Sequence, residues 1–342
     1  MRPMLGWAVR SPRCGVSGPQ PRRWWGRGLR LAAALLLSAL CLAWLGRQVD
    51  LAALAARWRD VPMGHLVGGV LLAWTFPFWR AARLRACLPP DAHVTPGSCW
   101  RIVAEALLWA FLLPFKLGEL SLPLLIHRRL GVALLPAAGL FLLLRLADVA
   151  VIVGMLAVAL ASLGLLVETP VWRAALALAG GGLLLLPLAL PRLGRVLATW
   201  PPFERRWLRL ALDGLTPVQS SPVRVRLLLT SWGLWVTQAA LVALMAHAAG
   251  LRVAVDLVAL ASAAGNLAFA LPVNGLLGLG PQQAALAATL QAGGVPWDAA
   301  VAVAIATYLA VLIGALTTGT TAWLWQAVGA SATSSPRRGA DP

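Results

Sequence analysis

WRIVAEALLWAFLLPFKLGELSLPLLIHRRLGV, residues 100–132, decides how the whole chain is read. An apolar half-helix starting at Trp100 ends at Leu113-Pro114, a Phe115-Lys116-Leu117-Gly118-Glu119 break follows, and a second short apolar piece reaches His127-Arg128-Arg129. Proline interrupts a helix interior. Backbone freed from a helix inside a membrane must find protein partners or line a wet cavity. A full crossing here would send Arg128 and Arg129 to the face away from the other basic blocks. A re-entrant hairpin returns them to the same face, which the positive-inside rule favours.

The rest of the chain has the same character. Its 342 residues are 60% hydrophobic and 12% charged, which excludes an ordinary water-soluble domain. The net charge of +17 does not point to nucleic acid, because the basic residues, all arginine except Lys116, sit in blocks flanking apolar stretches. Cys14, Cys41, Cys87 and Cys99 form no CxxC pair, so neither a metal site nor a disulfide framework is expected. No catalytic triad, carboxylate pair or Walker-type motif has a credible setting, so no enzyme activity and no cofactor are expected.

Apolar stretches of spanning length fall at about 31–45, 61–79, 134–167, 172–190, 227–249 and 297–325. Residues 49–61 read as an interfacial helix, and 191–226 as a basic cytoplasmic loop suited to an anionic leaflet surface. Arg80, Arg83 and Arg85, which follow the second stretch, are expected in the cytoplasm. A second half-helix, Leu257 to Pro272, is broken by Val273-Asn274-Gly275-Leu276-Leu277-Gly278-Leu279-Gly280-Pro281 and resumes from Gln282 to Gln291. The expected fold is therefore an all-α integral membrane protein of about six full spans plus two re-entrant helical hairpins. Residues 1–30 form a basic cytoplasmic segment, 31–327 the membrane domain and 328–342 a cytoplasmic tail. The expected location is the inner membrane, multi-pass, with both termini in the cytoplasm.

The two broken regions correspond. Each has a half-helix ending in Leu-Pro, a glycine-containing break, a short helix, a Gly-Val pair and a long span, with Gly131-Val132 matching Gly294-Val295 at an offset of 163 residues. The first hairpin enters from the cytoplasm and the second from outside, which makes an inverted repeat. Broken helices in matching places of inverted halves point to a central transport site.

The run Leu113-Pro114-Phe115-Lys116-Leu117-Gly118-Glu119-Leu120-Ser121-Leu122-Pro123, followed by Arg128-Arg129-Leu130-Gly131-Val132 and Arg145-Leu146-Ala147-Asp148, resembles the lysylphosphatidylglycerol synthase transmembrane (flippase-like) family. Leu271-Pro272 with Gly275, Gly278 and Gly280 resembles that family's second motif. The resemblance implies a lipid translocase or lipid-handling membrane protein, with a phospholipid or other polar lipid as partner. Two positions depart from the pattern: Gln282-Gln283 stand where an acidic residue is common, and Tyr308 where a basic one is. No aminoacyl-transfer domain is seen in the sequence, so lysyl transfer is not expected.

Lys116, Glu119, Arg145, Asp148, Asn274, Gln283 and Tyr308 are the candidate substrate-binding residues. Lys116 and Glu119, three apart at the break, suit either a lipid phosphate and its counter-charge or an ion pair holding the turn. Arg145 and Asp148, three apart on one helix, can neutralise each other in low dielectric. Glu105 is read as an interfacial i,i+4 partner of Arg101, and His247 as a helix-contact residue. Two other classes fit the pattern: an ion-coupled transporter of a small anion, and an accessory subunit working with a lipid- or glycan-synthesising partner. Cysteine-accessibility mapping should place both termini, Arg80 and Arg205 inside and Trp172 and Arg252 outside. Labelling of 127–129 from the outside would rule out the inward hairpin.

Overall fold

The computed structural model describes residues 62–88, 94–113, 118–165, 169–198, 220–270 and 280–333. Regular structure among them is entirely helical. The helices are α1 (Met63–Cys87), α2 (Pro96–Leu112), α3 (Ser121–Leu130), α4 (Leu134–Leu163), α5 (Pro170–Ala198), α6 (Ser221–Ala248), α7 (Val255–Ala270), α8 (Pro281–Ala292) and α9 (Trp297–Thr333). Among the described residues, four stretches are long and apolar enough to cross a membrane: α4, α5 over Pro170–Leu190, α6, and α9 over Trp297–Trp325. The chain is a helical membrane protein.

Of the six expected crossings, 31–45 lies outside the described residues, as does the interfacial segment 49–61. Residues 61–79 fall mostly within α1, whose glycines, tryptophans and Arg80 dilute its apolar run. α5 continues to Ala198, past Pro191 where the basic loop was expected to open. Cys87 and Cys99 are free thiols.

Contacts fix the helix directions. α1 and α6 are antiparallel: the His65 and His247 rings lie 5.6 Å apart near one end, and Arg83 meets Ser231 toward the other. α1 and α9 run the same way, with Ala73 against Gly314 and Trp74 Nε1 donating to Thr317 Oγ1 at 3.0 Å. Arg173, in the first turn of α5, donates to the carbonyls of Ala161 and Ser162 at the end of α4, so that pair is antiparallel.

Both broken regions fold back as helical hairpins. Arg129 of α3 pairs with Glu105 of α2, and a Cβ on Gly118 would overlap the Trp109 carbonyl. A straight helix would separate residues 105 and 129 by roughly 36 Å. In the second hairpin Gly265 faces the Gln282 carbonyl, and Gly293 lies on Leu257. The α2–α3 hairpin opens from the end where α1 finishes, and the α7–α8 hairpin from the end where α6 finishes. Because α1 and α6 are antiparallel, the hairpins enter from opposite ends. Each first arm packs on the other half's long helix, α2 on α9 and α7 on α4.

The 163-residue offset recurs in the backbone. Gly131 (φ 69) and Gly294 (φ 90) both hold left-handed conformations that side chains disfavour. The helices that follow start at Leu134 and Trp297, three residues on in each case.

Apolar burial between helices gains little in lipid, so close packing at small residues does more of the work. α9 is the central helix, with 67% of its apolar window buried, and α5 is peripheral at 17%. α4 and α5 nearly touch: a Cβ on Gly180 would stand 2.9 Å from Ala157 Cβ and 3.0 Å from the Gly154 carbonyl, whereas one on neighbouring Gly181 would meet nothing within 4 Å. Gly180→Ala should therefore destabilise the detergent-solubilised protein by about 1–3 kcal/mol. Gly181→Ala should leave the thermal midpoint at or above that of the parent. Equal midpoints for the two variants would contradict this packing.

Candidate functional site

Helical spacing assembles the site. On α1, Phe76, Arg80 and Arg83 follow at i, i+4 and i+7 and share a face; on α4, Phe141, Arg145, Asp148 and Ile152 do the same; on α6, Ser231, Trp235 and Gln238 do so. With Glu119 from the first hairpin turn, Asn266 and Phe269 from α7 and Gln282 from α8, most of these groups surround a cavity of about 320 Å3. It lies where the two hairpins approach each other.

Asp148 is buried at 3% exposure and fully engaged. Arg83 grips it with both terminal nitrogens, Nη1 to Oδ1 at 2.6 Å and Nη2 to Oδ2 at 3.1 Å. Trp235 Nε1 donates to Oδ1 at 3.1 Å. Arg83 Nη1 also donates to Ser231 Oγ, whose hydroxyl donates to the Leu227 carbonyl. Such a two-point guanidinium–carboxylate contact is the strongest geometry open to the pair. The cluster ties α1, α4 and α6 together.

Arg145 points elsewhere. Its Nη2 lies 2.9 Å from Glu119 Oε2, and its other terminal nitrogen only reaches 3.8 Å from Asp148. The guanidinium sits over the Phe141 ring at 5.3 Å and keeps 30% of its side-chain surface accessible. Arg80 lines the cavity too, amid the charges of Arg145, Asp148, Arg83 and Glu119. It forms no ion pair or hydrogen bond among the described residues, and its Nε is buried without a partner. Among the described residues three guanidiniums face two carboxylates, a formal excess of one positive charge.

Several expectations change here. The Arg145–Asp148 pairing is a weak secondary contact, because Arg83 reaches Asp148 with better geometry. Arg80 and Arg83, read from the sequence as an orientation block, turn inward to the bundle, and Arg83 is 3% exposed. Glu105 pairs with Arg129, not with Arg101, which bonds to the Gly97 carbonyl and Ser98 Oγ. Gln283 is buried, its Oε1 accepting from the Gly280 N–H at 2.8 Å at the start of α8, while the neighbouring Gln282 lines the cavity. Tyr308 packs with Leu107, Phe111 and Ala315 where α2 meets α9. Lys116 and Asn274 lie outside the described residues.

Arg80, Arg83, Trp235, Gln238, Asn266 and Gln282 were not among the site residues expected from the sequence. The available signal was periodic: Phe76, Arg80 and Arg83 continue one helix face.

These features define a helical membrane protein with opposed hairpins around a charged, mostly apolar-walled cavity. The chain belongs to the family of the lysylphosphatidylglycerol synthase transmembrane region, whose profile matches residues 31–319. No curated protein and no solved structure matches it. Membership links the chain to membrane lipid.

Breaking one side of the buried pair leaves a charge without compensation. Asp148→Asn should cost about 3–5 kcal/mol of stability, and the Arg83→Leu/Asp148→Leu double variant should recover most of it. Thermal unfolding in detergent reads both. A single Asp148→Asn change as stable as the parent would show that the cluster does not hold the helices.

Proposed function

We propose that the chain is a non-catalytic lipid translocase or lipid-handling protein of the inner membrane. On this reading six spans and two re-entrant hairpins cross or enter the bilayer, and both termini are cytoplasmic. The observation that carries it is the surplus guanidinium among the described residues of the cavity, Arg80, beside Arg145, whose side chain is 30% accessible. A cation in low dielectric without a matching carboxylate favours an anion, and the bilayer's abundant anion is the lipid phosphate.

The charge asymmetry supports the orientation. Arg85, Arg101, Arg128, Arg129, Arg224 and Arg226 gather at the end where α1 finishes, while Arg173, Arg252, Asp256 and Asp298 lie at the other. The positive-inside rule makes the arginine-rich end cytoplasmic. Phe76, Phe111, Phe141, Phe269 and Ile152 supply apolar walls, which suit a headgroup trailing acyl chains better than a hydrated small anion.

In the proposed cycle a phosphate displaces Glu119 from Arg145 and is held between Arg145 and Arg80. Gln238, Asn266 and Gln282 offer neutral polar contacts to the rest of the headgroup. Asp148 and Arg83 remain paired throughout.

The test is exposure of a fluorescent-tailed phosphatidylglycerol to an outside quencher in reconstituted vesicles. Arg145→Leu should slow translocation about 10- to 100-fold, the effect of losing one charge-assisted contact. Its folding should persist, because Asp148 keeps Arg83. Glycerol phosphate competing as well as the lipid would favour a soluble-anion carrier. Equal rates for the parent, Arg145→Leu and protein-free vesicles, across several anionic lipids and with an imposed ion gradient, would reject translocation.

A further inference from the structure

A second site lies on the outer flank of the bundle. α1 carries Phe78, Ala81, Ala82, Arg85 and Ala86 on a face turned away from Arg80 and Arg83. Together with the start of α2, Arg226 of α6 and Trp325 of α9, it walls a groove of about 840 Å3. The floor is small: Ala81, Ala82 and Ala86 line it, and a Cβ on Gly97 would meet nothing within 4 Å. The walls are aromatic, with the Phe78 and Trp100 rings 5.8 Å apart and Trp325 opposite.

Two features make this groove more than lipid-facing surface. Neither Arg85 nor Arg226 has a carboxylate or other side-chain partner among the described residues, so two guanidiniums at one groove stand uncompensated. The indole Nε1 of Trp100 is buried and also lacks a hydrogen-bond partner.

We propose that this groove binds one anionic phospholipid. Its phosphate meets Arg85 and Arg226, and an acyl chain lies along Phe78, Trp100 and the alanine floor. Charge complementarity selects the anionic headgroup. The position at the arginine-rich end, with tryptophans at headgroup level, selects a lipid over a soluble ligand. The central cavity plays no part, so the site stands whether or not the chain translocates lipid.

Native mass spectrometry of the detergent-solubilised full chain tests it, titrating phosphatidylglycerol, phosphatidylcholine or glycerol phosphate. One phosphatidylglycerol should bind more tightly than phosphatidylcholine, and glycerol phosphate should not compete. Arg226→Gln, a change at an exposed side chain, should weaken that binding about 5-fold, and Arg85→Gln/Arg226→Gln about 30-fold. Arg145→Leu should retain the lipid. Parent-like binding by the double variant, equal binding of phosphatidylcholine, competition by glycerol phosphate, or loss of the lipid in Arg145→Leu would each overturn the assignment, the last by moving the lipid to the central cavity.

Discussion

The two-point contact between Arg83 and Asp148 is the constraint on which the rest of the site depends. A lone charge at mid-bilayer depth costs at least about 2.5 kcal/mol on insertion scales, so each buried charge needs a specific partner. Arg83 takes Asp148, and Trp235 and Ser231 complete the arrangement from α6. With Asp148 fully engaged, Arg145 is left to Glu119, at the turn of the first hairpin. Arg80 then has no carboxylate of its own. The local charge excess follows from which pair forms first, not from a patch of basic sequence.

The same cluster joins the two halves. Arg83 and Asp148 come from the first half, Trp235 and Ser231 from the second. The exchanged packing of α2 on α9 and α7 on α4 repeats this at the level of whole helices, so neither half encloses the cavity alone. The hairpin arms are short, Pro96–Leu112 with Ser121–Leu130 and Val255–Ala270 with Pro281–Ala292, and the cavity lies between the two pairs.

Much of this architecture was legible in the sequence because glycine, proline and hydropathy act locally. The folding back of 100–132, the correspondence of Gly131 with Gly294 and the presence of Glu119, Arg145 and Asp148 at one place all follow from breaks and charges in apolar stretches. Partner choice was not legible. Spacing of three residues puts Arg145 near Asp148, and spacing of four puts Arg101 near Glu105, but a residue distant in sequence with better geometry won each time. Arg80 and Arg83 were missed for a related reason. A basic block after an apolar run is adequately explained by membrane orientation, and only the Arg83–Asp148 contact and the lining of the cavity by Arg80 show that two of its three arginines turn inward. Gln282 and Gln283 differ by 100° around α8, which sequence could not orient without knowing where α7 lies.

The arginines of α1 divide according to how well each is satisfied. Arg83 is engaged at both terminal nitrogens, and moving it would strand Asp148. Arg80 and Arg85 lack such partners among the described residues and face opposite flanks of one helix, the first the cavity between the hairpins and the second the groove beside Phe78 and Trp100. Burial and partnering agree for two of them, since Arg83 is 3% exposed and paired while Arg80 is partly exposed and has no partner among the described residues. Arg145 belongs with neither group. It is paired, yet with a carboxylate on a hairpin turn and with nearly a third of its side chain accessible. On the function proposed above, an anion beside Arg80 would compete with Glu119 for Arg145 without disturbing Arg83 or Asp148. Such binding would act first on the hairpin turn, while the contacts that join α1, α4 and α6 stay in place.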